Sequence, residues 1–138
     1  MSHPDIFEHT LHKSREWVRE MEQRLQCDSH TAYAALRAGL HVLRDHLPTQ
    51  EVVDLAAQLP MLIRGMYFDG WRPAAQRPRA RHLEDYAAEV AKHVPPSSTF
   101  TPEDVLDATM RLLSRHISRG EITDVIACLP REIGEIWS

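Results

Sequence analysis

At 138 residues, 43% of them hydrophobic and 26% charged, the chain has the balance of one ordinary globular domain, which excludes a disordered or fibrous polymer. A chain of this size buries about two-thirds of its unfolded surface, enough for a core that needs no disulfide or metal to hold it together. A formal charge of −4 with interspersed signs lacks the one-sided basic footprint of a nucleic-acid binder, and no apolar run reaches the roughly 18 to 20 residues that span a bilayer. Met1 to Asp5 is followed by no apolar signal core, so the expected location is cytoplasmic, with neither nucleic acid nor membrane as a partner. Cys27 and Cys128 are far apart and lack CxxC spacing, which reads as two small buried hydrophobes.

From Asp5 to Gln26, the residues Phe7, Leu11, Val18, Met21 and Leu25 recur at spacings of three, four and seven, predicting one long amphipathic helix. A second helix is predicted from Thr31, taken as its N-cap, to about His46, with Ala35, Leu36, Leu40 and Leu43 in its apolar stripe. Short helices follow near Pro48 and at Pro60, because the residue before a proline is pushed out of the helical region. The run from Asp69 to Arg79, with Gly70, two prolines and three arginines, reads as an exposed turn or linker. Leu83, Tyr86, Ala87, Val90 and Val94 predict a further helix over Arg81 to Val94, which Pro95-Pro96 ends. Thr101-Pro102-Glu103-Asp104 then carries a capping hydroxyl, a proline in the first turn and acids against the positive helix end. Ser118 and Glu121 have the S-x-x-E form of a capping box, and Leu129-Pro130 repeats the earlier break. Nothing in the chain alternates like a strand.

The second half echoes the first. With an offset of 70, residues 31 to 68 align without gaps on residues 101 to 138, and 11 of the 38 positions are identical, where about three would arise by chance. The identities include His46 with His116, Glu51 with Glu121, Asp54 with Asp124 and Pro60 with Pro130. The expectation is an all-α single domain of about eight helices, arranged as two pseudo-repeated four-helix units on one core. The first half would cover about residues 1–71, the linker 72–80 and the second half 81–138.

Four groups of residues could carry chemistry. His9 and His12 share a helix face with Glu8 and Glu16, but H-E-x-x-H does not occur, and solvated surface histidines explain them more simply. His46 and His116 recur near two helix ends, where each could satisfy terminal carbonyls; brought together by pseudosymmetry, they would be the metal or ligand candidates. Glu51/Asp54 and Glu121/Asp124 could act as acid and base, although solvated helix starts account for both pairs. Trp71 and Arg72, with Arg77, Arg79 and Arg81 beyond them, could form an interaction surface, as could Trp17 on the first helix; against this, Trp71 could fold back as a clasp on the core. No nucleophile elbow, Walker loop, dinucleotide fingerprint or zinc ribbon is present, so no catalytic residue is assigned and no cofactor is expected.

The strings Ala57-Gln58-Leu59-Pro60 and Tyr67-Phe68-Asp69-Gly70-Trp71, with Leu43-Arg44-Asp45-His46-Leu47-Pro48 before them, resemble the bacterial family called domain of unknown function 2267. Arg115-His116-Ile117-Ser118 and Leu129-Pro130 look like that family's second half. The resemblance implies a small helical protein and brings no activity, substrate or catalytic residue with it. The functional expectation is therefore a non-enzymatic interaction or regulatory domain that self-associates as a homodimer. The alternative is a small-ligand or metal-binding protein with its site between the halves.

Overall fold

The computed structural model describes residues 3–75 and 82–137. Eight α-helices form among them, and no strand: α1 (His3–Leu25), α2 (Ser29–Asp45), α3 (Thr49–Ala56), α4 (Met61–Phe68), α5 (Leu83–Ala91), α6 (Pro102–His116), α7 (Arg119–Cys128) and α8 (Arg131–Gly134). Short 3-10 turns follow α4 at Pro73–Ala75 and α8 at Glu135–Trp137. Arg77, Arg79 and Arg81 lie outside the described residues.

Local chemistry sets the helix ends. Asp28, and not Thr31, caps α2: its carboxylate accepts the Thr31 backbone N–H at 2.8 Å, which starts the helix earlier than the sequence reading placed it. At α6 the expected Thr101 cap forms and closes into a full capping box, with Thr101 Oγ1 accepting from Asp104 N and Asp104 Oδ2 accepting from Thr101 N, whereas the box was expected at α7. At α7 only half of it forms. Ser118 Oγ accepts from Glu121 N at 3.2 Å, but the Ser118 N–H donates to Gln58 Oε1, which leaves the Glu121 carboxylate to turn elsewhere. Pro60 and Pro130 stand just outside the helices they precede, with nearly identical extended backbone angles. Buried Arg44 closes the far end of α4 by donating to the Tyr67 and Asp69 carbonyls, and Arg64 closes α3 by donating to the Ala56 and Leu59 carbonyls.

One apolar core receives side chains from all eight helices. The central crossing is α2 on α6, where a Cβ on Gly39 would collide with Thr109 Oγ1. α1 lies along α2 and also against α6 and α4; α5 lies along α6 and also against α2. Each half thus packs its first helix along its own second long helix, and α1 on α6, α2 on α6 and α5 on α2 join the two halves into one core. α1 is about 34 Å long at the usual helical rise, and only its later turns are sealed: Trp17, Met21 and Leu25 are buried, whereas Ile6, Phe7 and Leu11 are exposed.

Candidate functional site

The two repeated histidines end up in matching surroundings built by different helices. His46 Nε2 lies 2.6 Å from Glu89 Oε2 on α5, and its ring stacks on Tyr86 at 4.5 Å. His116 Nε2 lies 3.0 Å from Glu20 Oε1 on α1, and its ring sits 5.0 Å from that of Trp17. Each imidazole is engaged by a glutamate of the other half and not by a helix-end carbonyl. Glu20 is buried and also receives Arg24 and Arg115, so its charge is matched. Burial, and then the Glu89 charge, push the Tyr86 phenol up to about 12, so it stays protonated. Sequence reasoning missed the two glutamates. The signal was an aromatic residue three before each of them, Trp17 with Glu20 and Tyr86 with Glu89, at an offset of 69 instead of 70.

The second repeated pair does meet. α3 packs on α7, and Glu121 comes within hydrogen-bonding reach of Glu51. The Oε2 atom of each is sealed from solvent with no donor from another described group, an arrangement that favours the protonated form of Glu121. Burial first, then the hydrogen bond with Glu51 and the charges of Glu51, Asp124 and Asp54, push the Glu121 carboxyl up to about 8. The sequence reading as solvated helix starts thus holds for the exposed Asp54 and Asp124 only. Cys128 points its sulfur at Glu51 from 4.0 Å and is exposed, while Cys27 is half-buried, so neither is the buried hydrophobe expected.

Two clefts flank α1 where it crosses the start of α4. One, of about 470 Å³, runs between Val18 on α1, Tyr33 on α2 and Met61, Leu62 and Met66 on α4. The other, of about 450 Å³, lies on the opposite side of α1, between His9, Lys13 and Trp17 on that helix and Met61, Arg64 and His116. Met61 borders both. Of the candidate surface residues, Trp17 is core at 1% exposed, and Arg72 is exposed. Trp71 is half-buried, its ring 5.4 Å from Phe68, and follows Gly70, whose φ of 74° allows the tight turn back.

Among the described residues, no group of three or more His, Cys, Asp or Glu is placed to hold a metal ion, and no helix is long and apolar enough to cross a membrane. The family model described as an uncharacterized conserved protein, DUF2267, matches residues 14–136. No curated protein matches the chain.

Proposed function

The chain belongs to the DUF2267 family, whose description names no reaction or ligand, and we propose from its own geometry that it is a cytoplasmic interaction domain that works by binding and pairs with a second copy of itself. The observation that carries this reading is the apolar face around the first cleft. Phe7 is 66% exposed, Met61 60% and Leu62 49%, with Leu11 and Tyr33 beside them. Phe7, Leu11, Ser14 and Val18 share one stripe of α1, so the exposed part of the stripe runs straight into the cleft. Side chains of that size are seldom left together in water unless something covers them.

A second copy suits the charge order of α1. Glu8 lies in its early turns, and Arg15 and Arg19 two to three turns later, so antiparallel α1 helices place acids of one copy beside bases of the other. Each copy would then lay Phe7 and Leu11 into the cleft of its partner. Size-exclusion chromatography with light scattering should give twice the chain mass at micromolar concentration. Leu62→Asp should return a monomer that keeps the helical signal and one cooperative transition, since Leu62 is exposed and not in the core, with an unfolding temperature that no longer depends on concentration. A wild-type monomer at about 100 µM would end this reading.

We also propose that the chain is a duplicated unit in which the first helix of each half lies along its own half and reaches across to the histidine of the other. Glu20 of the first half engages His116 of the second, and Glu89 of the second engages His46 of the first. Residues 70 apart touch at Gly39 with Thr109 and at Glu51 with Glu121, as positions beside a twofold axis would.

A further inference from the structure

The cleft on the other side of α1 has a different chemistry. Its borders carry bases and no acid: His9 and Lys13 on α1, Arg64 on α4 and His116 at the end of α6. In a chain with net charge −4, Lys13 and Arg64 bring two positive side chains to one cleft from two helices, with the imidazoles of His9 and His116 beside them. The nearest carboxylates are already engaged. Glu20 is held by Arg24, Arg115 and His116, and Glu16 by His12 at 2.9 Å with Lys13 at 3.9 Å. The guanidinium of Arg64 is fixed by its bonds to the Ala56 and Leu59 carbonyls, so it presents its remaining N–H groups without further ordering.

A further feature faces the same space. Pro60 and Met61 also border it, and α4 starts there with no side chain capping its first N–H groups. Between these polar elements the bed is apolar, made by Ile6, Leu59 and Met61 over the indole of Trp17.

We propose that this cleft binds a small amphipathic anion, a carboxylate carrying a medium-length apolar tail. The carboxylate would sit among Lys13, Arg64 and the start of α4, with the tail along Ile6, Leu59 and Met61. About 450 Å³ suits a molecule of that size. Arg64 and the helix end form the fixed part of the anion site, while Lys13 adds charge and His9 a hydrogen-bonding imidazole from the solvent side.

Decanoate is the probe, with decanol as the same tail without charge and inorganic phosphate as charge without a tail. Isothermal titration calorimetry on the full chain at pH 7 should find one decanoate per chain, with decanol at least tenfold weaker and phosphate undetected. The double variant His9→Gln, Lys13→Gln removes one exposed charge and one exposed imidazole without touching the core, and should weaken decanoate about fivefold at an unchanged unfolding temperature. Binding should also shift the Trp17 indole N–H in a proton–nitrogen spectrum. The proposal fails if decanol binds as tightly as decanoate, if the double variant binds decanoate as the natural sequence does, or if Leu62→Asp on the opposite cleft abolishes binding while the double variant does not.

Discussion

Glu51 and Glu121 show how a single proton becomes a stability switch. In the unfolded chain the Glu121 carboxyl titrates near the ordinary value of 4.5, whereas against Glu51 it is pushed up to about 8. A folded-state pKa raised above the unfolded one means that the folded chain holds the extra proton between those values. The pair is therefore fully tolerated below about pH 4.5, and stability falls as the pH rises through 8. Glu121→Gln supplies a permanent N–H donor to Glu51 and removes the titration. Its unfolding temperature should match the natural chain near pH 4.5 and exceed it at pH 8.5 by a few degrees, or about 1 kcal/mol once solvent screening of this half-exposed pair is allowed for. A parallel fall of both proteins between pH 5 and 8.5, measured by circular dichroism melts, would remove that proton from the account. Cys128 sits beside the same carboxylates, and burial followed by the Glu51 charge raises its thiol above the usual range, so it is exposed without being an activated nucleophile.

The helices were the legible part of the sequence, because caps and periodicity act over a few residues. Thr101 with Asp104, Ser118 with Glu121 N, and the two Leu-Pro breaks all appear where short-range rules put them. Asp28 displaced Thr31 as the cap of α2 because both have a suitable oxygen, and only the chain direction leaving α1 decides between them. Contacts between distant helices were less legible. The histidine–glutamate pairs join residues 43 and 96 positions apart, and nothing local at His46 or His116 names the partner. Gly39 illustrates the same point. Its backbone lies in an ordinary helix, and its reason for being glycine is the buried Thr109 on α6, whose hydroxyl is held by the Val105 carbonyl. Gly39→Ala should gain helix propensity yet lower stability by about 2 kcal/mol through overpacking. Thr109→Ala in the same chain should recover about half of that loss, a coupling that a denaturant-melt double-mutant cycle reads directly. Additive effects would mean that the crossing relaxes at no cost.

For the whole molecule, the consequence of first helices that reach across both halves is that neither half owns a complete core. Residues 1–75 would keep α1 without the His116 and α6 surface it covers, and would leave His46 without Glu89 and the Tyr86 ring. Residues 82–138 would lose Glu20 and Trp17 from His116 while keeping an α5 shaped partly to α2. Each half also falls near the size below which a single core is marginal. Expressed separately, the two fragments should therefore lack a cooperative thermal transition, and mixed in equal amounts they should regain the helical signal and one transition at a concentration-dependent temperature. Glu89→Ala in the second fragment should weaken the reassembly, because it strips a buried imidazole on the first fragment of the carboxylate that holds it among the described residues. If residues 1–75 alone melt cooperatively and gain nothing from the second fragment, the halves are independent units, and the paired histidines only staple them together.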